Sequence, residues 1–273
     1  MRALYLFEFC DQDWIPSGAR ECLFEIMDAC NSGLRSFNRQ VADAVLDIAS
    51  TEGINRIVEL GAGRAPVTAQ LAVDERAADL TLVPCDITPN EAVYRQLVSR
   101  FGDRVKPIYS SVDITQSHAE LDSSVLVMAG MMHHVPFELR PAVMDALSRS
   151  SSTMVIFEPL KRSLLSMFLA SLAIVPALLL PITFFGRPGD LRRIFWCWLF
   201  PIVPPMFVWD GVTSCFRQWT AIEWQNQFDR LDGLAKDVEV RSGFNSLRIR
   251  WSGSKSQRRL PESSRPIEDT SAL

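Results

Sequence analysis

One stretch constrains this chain more than any other: Arg56-Ile57-Val58-Glu59-Leu60-Gly61-Ala62-Gly63-Arg64-Ala65-Pro66. A short apolar strand pattern runs through Glu59 into a Gly-x-Gly turn, and helical spacing follows from Pro66 to Val73. Glycine has no Cβ, so such a turn at the carboxyl end of a first strand lets backbone N–H groups approach a bound small molecule. That is the layout of nucleotide-type sites in open α/β sheets. A dinucleotide fingerprint needs a third glycine for close helix–strand packing, and Pro66 stands there instead. The Glu59 carboxylate would also oppose a pyrophosphate. It suits a cationic ligand that carries an amino-acid group.

From Asn55 onward, strand and helix patterns alternate. Strands are expected at 57–60, 80–85, 105–109, 124–128 and 153–157, and helices at 66–73, 90–101 and 138–148. Alternation of this kind predicts an α/β fold, a Rossmann-like parallel sheet with helices on both faces. Two further strand patterns, 238–241 and 246–251, flank Ser242-Gly243-Phe244-Asn245. Upstream, residues 1–20 are aromatic-rich and broken by Pro16, and helical spacing recurs at 21–29 and 37–48. Two readings stand for this segment: a helical cap packed on the sheet, or a lid over the ligand.

Ligands in such sheets bind beyond the carboxyl ends of the strands, so residues at those ends are the candidates. Asp86 closes the second strand about twenty residues after the glycine turn, with Ile87 beside it, and can accept both hydroxyls of a ribose. Asp113 follows the third strand and reads equally as an adenine neighbour or a helix cap. Ala129 and Gly130 end the fourth strand and leave room for a ligand. Next come His133 and His134, of which one imidazole could serve as a base or orient a substrate while the other bonds to backbone. Glu158 ends the fifth strand, either lining an acceptor pocket or capping the next segment of chain.

E-L-G-x-G, at Glu59–Gly63, resembles the first motif of the class I S-adenosylmethionine-dependent methyltransferases, and the His-His run resembles the fourth motif of those acting on small molecules. The resemblance implies S-adenosylmethionine as cofactor, lying across Glu59, Gly61, Ala62, Gly63, Asp86, Ile87, Asp113, Ala129 and Gly130, with His133 and His134 as catalytic candidates. Three parts together look like a bacterial-type subgroup with a hydrophobic insertion: Phe7-Glu8-Phe9-Cys10-Asp11-Gln12-Asp13-Trp14-Ile15-Pro16, His133-His134, and Trp209 to Arg217. The likeness covers roughly residues 4–252. The chain departs from it in the inserted Asp13 and in Trp219, where tyrosine is usual. Asp210, Ser214 and Arg217 would line the acceptor side, or form a structural Asp–Arg clamp. No Asn-Pro-Pro-Tyr-like sequence occurs, which argues against exocyclic amines of nucleic-acid bases as substrates.

Residues 163–185 carry no charge, and at roughly 20 residues per bilayer crossing they are long enough to span. Arg187, Asp190, Arg192 and Arg193 interrupt, and a second apolar run, proline-rich and aromatic, covers 195–209. The last two strands must return to the same sheet, so the insertion has to enter and leave on one side, as a re-entrant or interfacial hairpin. Lys161, Arg162, Arg187, Arg192 and Arg193 could then meet anionic headgroups at the cytoplasmic face. A buried insertion or a dimer face is the alternative.

The expected division is a helical cap at 1–50, a cofactor-binding core at 51–162, the insertion at 163–209, the end of the core at 210–252 and a disordered polar tail at 253–273. A membrane lipid or hydrophobic small molecule is the expected acceptor. A protein or peptide acceptor with a membrane anchor, and a catalytically silent cofactor-fold module, are the rivals. The net charge of −4 gives no reason to expect a nucleic-acid partner. Six scattered cysteines without a C-x-x-C pair read as free thiols in a reducing compartment, with no zinc site, and no metal is expected.

Overall fold

A computed structural model describes residues 3–33, 35–116, 118, 121–149, 153–183, 186, 189–231, 235–242 and 247–253. Its helices are α1 (Ser17–Gly33), α2 (Arg35–Glu52), α3 (Pro66–Ala72), α4 (Glu91–Phe101), α5 (Arg140–Ser148), α6 (Leu164–Ser171), α7 (Ile174–Thr183), α8 (Asp190–Ile194), α9 (Val203–Arg217) and α10 (Ala221–Phe228). The strands are β1 (Arg56–Leu60), β2 (Thr81–Cys85), β3 (Val125–Ala129), β4 (Thr153–Glu158), β5 (Ala235–Ser242) and β6 (Leu247–Gly253). They form one mixed sheet in the order β2-β1-β3-β4-β6-β5. The first four are parallel, and β6 runs antiparallel to both β4 and β5.

The central strands are continuous apolar runs because helices cover both faces. Alternate residues go to opposite sides: Ile57, Val125, Val127 and Val155 pack with α2, α3 and α4 through Val41, Val45, Leu71 and Tyr94. Val58, Leu126 and Ile156 pack with α5 and α10 through Val143, Leu147, Trp224 and Phe228. The α10 helix starts at a reciprocal cap, in which Thr220 accepts from Glu223 N–H and the Glu223 side chain accepts from Thr220 N–H.

The strand expected at 105–109 is not a full member of the sheet. The segment runs extended beside β2, with Lys106 N–H donating to Leu82 O (2.8 Å) and Ile108 N–H to Pro84 O (3.1 Å), but it makes only one bridge, Leu82 with Val105. The reason is local: a parallel ladder needs donors from both strands, and Pro84 in β2 has no N–H to give back to Lys106.

The α1 helix and the residues just before it share a core with the insertion, while α2 packs on the sheet. Ile15, Ala19, Cys22, Leu23 and Ile26 pack against Ala177, Leu180, Cys197, Val203 and Met206. Each fully buried Leu or Ile here contributes about 1.5–3 kcal/mol. Charge adds to it: Arg193 of α8, 4% exposed, donates to Glu25 of α1 at 2.9 Å, and Arg192 pairs with Glu21 and Glu25. These two arginines are internal ties, which corrects the expectation that they face headgroups. Arg162 pairs with Glu223, and Lys161 donates to Ser242 Oγ at 3.1 Å. Arg187, the Gly243–Asn245 loop and the tail from residue 254 lie outside the described residues.

The α6 and α7 helices run on across a turn as 20 apolar residues, long enough to cross a membrane, and only 28% of the apolar window is buried. Residues 191–199 and α9 make a second apolar pair, bent by 76°. The six cysteines are free.

Where α6 crosses α9, Gly211 permits the approach: a Cβ there would sit 3.2 Å from Ala170 Cβ. Gly211→Leu is expected to cost about 1–3 kcal/mol through overpacking, read as a lower denaturation midpoint at unchanged slope. An unchanged midpoint would show that the two helices do not meet there.

Candidate active site

The glycine turn after β1 has the open backbone its sequence predicts. Gly61, Gly63 and Ala65 all have positive φ, at 61°, 50° and 52°. Gly61 is obligatory, since an added Cβ would fall 2.5 Å from Met131 Cγ. A Cβ added at Gly63 would meet nothing within 4 Å, so the turn offers an open backbone on that side. Ala62 N–H donates to Cys85 O at 2.9 Å and ties the turn to the end of β2.

Glu59 does not sit on the ligand face. It is 3% exposed, and its two oxygens accept from Val67 N–H (3.1 Å) and Thr68 N–H (2.7 Å). It therefore caps α3 from the neighbouring strand, supplying the acceptor that Ala65 at the N-cap lacks. This corrects the expectation of a direct contact with a cationic ligand: Glu59 positions the turn. Burial pushes its carboxyl up to about 7, against the pull of the Thr68 and Val67 amides.

Asp86 stands at the end of β2, next to the same turn. Its Oδ2 accepts from Gly63 N–H at 2.8 Å and its Oδ1 from Thr88 N–H at 2.9 Å. The side chain of Ile87 is 62% exposed beside it. Asp113 closes a turn, not a helix, accepting from Thr115 N–H (2.9 Å), Thr115 Oγ1 (2.7 Å) and Gln116 Nε2 (3.0 Å). Ala129 and Gly130 end β3 on the same edge, with Gly130 at φ 63° and its N–H on Phe157 O.

The chain then turns through Met132–His134. His133 is 6% exposed, and its Nδ1 lies 2.8 Å from Glu158 Oε2. Glu158 is fully buried. It also accepts from Met132 N–H (2.9 Å) and Gln218 Nε2 (2.6 Å). Burial works to raise the Glu158 carboxyl, but His133, Gln218 and Arg140 outweigh it and hold it below its ordinary value. An ionised Glu158 keeps the proton on Nδ1 and leaves Nε2 as the basic nitrogen. Arg140, 1% exposed, fixes the turn from behind through Val135 O (2.9 Å) and His133 O (3.3 Å), stacked over Phe137 and Trp219.

Asp210, Ser214 and Arg217 fall at i, i+4 and i+7 on α9, one helix face. That face holds the N-terminal strap. Asp210 accepts from Phe9 N–H (2.6 Å) and Cys10 N–H (3.0 Å), Ser214 Oγ donates to Glu8 (3.0 Å), and Arg217 donates to Leu6 O (2.8 Å) and Asp11 (3.2 Å). The three are buried and engaged, so they neither clamp each other nor line an open acceptor surface. The strap in turn reaches the histidines: Tyr5 Oη donates to His134 O at 2.7 Å, and His134 Nδ1 lies 3.4 Å from Glu8 and 3.3 Å from Asp11. Sequence reasoning missed Glu8, Asp11, Arg140 and Gln218 as site residues. Glu8 and Asp11 stood in the sequence within the Phe7–Pro16 motif, with no role assigned to either. Nothing in the local pattern marks Gln218.

No protein-family model matches the sequence. No curated protein matches it either. Solved structures match by fold. The plantazolicin methyltransferase BpumL in complex with SAH aligns at a TM-score of 0.54 and 12% identity, over 89% of this chain and 94% of that one. An O-methyltransferase family protein from Burkholderia thailandensis aligns at 0.51 and 15% identity, over 84% of this chain and 60% of that one. The chain thus spans about three-fifths of the second protein. At these identities the likeness is one of fold: the chain has the α/β methyltransferase fold.

Because the folded Glu59 carboxyl lies above its ordinary 4.5, its contribution to stability is complete below that value and is lost as pH rises through 7. The stability of the wild type relative to Glu59→Gln should therefore fall by on the order of 3 kcal/mol between pH 4.5 and 7. Denaturant titrations of both proteins across that range check it. A constant difference would place the carboxyl near its solution value.

Proposed function

We propose that this protein is an S-adenosylmethionine-dependent methyltransferase acting at the cytoplasmic face of a membrane on a lipid or another hydrophobic small molecule. The cofactor reading is carried by one observation: the Gly63 backbone, Asp86 and the small Ala129–Gly130 end of β3 meet at the carboxyl edge of a sheet with the methyltransferase strand order. Asp86 is placed to exchange its bond to Gly63 N–H for the ribose hydroxyls, with exposed Ile87 against the base. Methyl transfer then forms a bond from the acceptor's nucleophile to the methyl carbon as the carbon–sulfur bond breaks, releasing S-adenosylhomocysteine. The protein's task is to position both molecules, exclude water and deal with the proton the acceptor loses. His133, oriented by Glu158, and the neighbouring His134 are the candidates to remove or polarise that proton.

The membrane reading is supported by the exposure of large apolar side chains on the insertion: Leu164 76%, Phe168 60%, Ile182 60%, Leu191 84% and Leu199 74%. A patch of this kind marks an interaction surface. Chain connectivity keeps it on one side, since β5 and β6 return to the sheet. The α9 helix leads from this surface to Gln218 on Glu158, so an acceptor dissolved in the bilayer would meet the histidine turn without crossing bulk water.

Calorimetric titration of detergent-purified protein should show micromolar S-adenosylmethionine binding that Asp86→Ala loses and that NAD does not compete for. Absence of binding sinks the enzyme reading. His133→Ala should keep donor binding but lower methyl transfer to lipid-extract acceptors about 10²–10⁴-fold. Equal turnover of a soluble acceptor with and without vesicles would remove the membrane part.

A further inference from the structure

Glu8, His133 and His134 each bring one ligand-type atom within 4.8 Å of the other two, and Glu8, Cys10 and Asp11 form a second such group that shares Glu8. The spacing inside this cluster is unusual for hydrogen bonding. His134 Nδ1 is 3.4 Å from Glu8 Oε2 and 3.3 Å from Asp11 Oδ1, longer than the roughly 2.7–2.9 Å of a charge-assisted bond. Those separations match the edge of a coordination tetrahedron, where bonds of about 2.0–2.2 Å put neighbouring ligand atoms roughly 3.3–3.6 Å apart.

The other polar atoms of these residues are already held. His133 Nδ1 is on Glu158, Glu8 Oε1 is on Ser214 (3.0 Å) and Arg217 (3.2 Å), and Asp11 Oδ2 is on Arg217 (3.2 Å). Left over are His133 Nε2, His134 Nδ1, Glu8 Oε2 and Asp11 Oδ1. Among the described residues the two oxygens meet, besides His134, only the weak thiol donor of Cys10 at 3.7 Å. Outer partners that lock the tautomer and orientation of each ligand are the hallmark of a metal site, above all a carboxylate on the far nitrogen of a histidine. Charge agrees. Glu8 and Asp11 pair with Arg217 and Glu158 lies near Arg140, so three carboxylates face two arginines and leave one negative charge when both imidazoles are neutral.

We propose that Glu8, His133 and His134 bind one divalent transition-metal ion between the N-terminal strap and the histidine turn, with Asp11 beside His134 at the exposed edge. Two imidazole nitrogens with carboxylate oxygens suit zinc, manganese or ferrous iron better than magnesium or calcium, which take all-oxygen sets. His134 is the more open histidine, its side chain 34% exposed, and leaves a coordination position free. On the methyltransferase reading above, the ion meets the acceptor's oxygen or nitrogen there and carries out the polarisation otherwise left to the imidazoles.

The test is titration of the chelator-treated, detergent-purified full chain with Zn²⁺ and Co²⁺, without S-adenosylmethionine. One ion per chain is expected, weakened about 100-fold or more in Glu8→Gln and His134→Gln and about 10–100-fold in Glu158→Gln. Asp86→Ala should keep the ion. For variants that fail to fold, the Co²⁺ spectrum of the wild type decides: intense four-coordinate visible bands support the site, and a weak aquo-like spectrum overturns it. No stoichiometric uptake, or uptake unchanged in folded His134→Gln, also overturns it. Donor binding without ion uptake removes the ion alone, and ion uptake without donor binding removes the methyltransferase reading alone.

Discussion

A single buried carboxylate, Glu158, joins the parts on which the site depends. It ends β4, is fully buried, and accepts from Met132 N–H, His133 and Gln218. A buried carboxylate in apolar surroundings is costly unless each oxygen finds donors, and these three supply them. Satisfying that one group fixes the histidine turn after β3, the ring orientation of His133 and the exit of α9. Sheet, histidine turn and insertion thus meet at one buried charge.

The strap above this turn is held by the same logic from the other side. Glu8 and Arg217 are 1% and 2% exposed and 3.2 Å apart, with Ser214, Leu6 O and Asp11 completing their bonds. Removing either partner of such a pair strands a buried charge, which is why the arrangement specifies one docking of the N-terminus even where its net stabilisation is small. The α9 face that holds the strap continues into the apolar insertion, and α1 shares the insertion's core. The N-terminus is thus bonded to the insertion as well as seated over the sheet. The exposed apolar surface of the insertion and the strap over the histidines therefore belong to one unit.

Much of this was legible in the chain itself. Short apolar runs separated by helical spacing determined the α/β sheet, and Pro66 and Asn90 marked helix starts that the structure keeps. The glycines at 61 and 63 announced a turn of positive φ, because other residues rarely adopt it without strain. The uncharged run after Ser163 announced an apolar insertion. The return of β5 and β6 follows from counting strands.

What only the tertiary structure decided is which partner each charged residue takes. Glu59 read as a ligand contact and proved to be a helix cap, since the acceptor that Ala65 lacks had to come from another element. Arg192 and Arg193 read as headgroup contacts and turned inward to α1, because glutamates 167 to 171 residues away came within reach. Asp210 and Arg217 read as acceptor-side residues and closed on a strap some 200 residues earlier. Local spacing determines backbone conformation through sterics and periodicity. Buried charges are settled by whichever long-range donors and acceptors the fold brings within about 3 Å, and no local pattern carries that information.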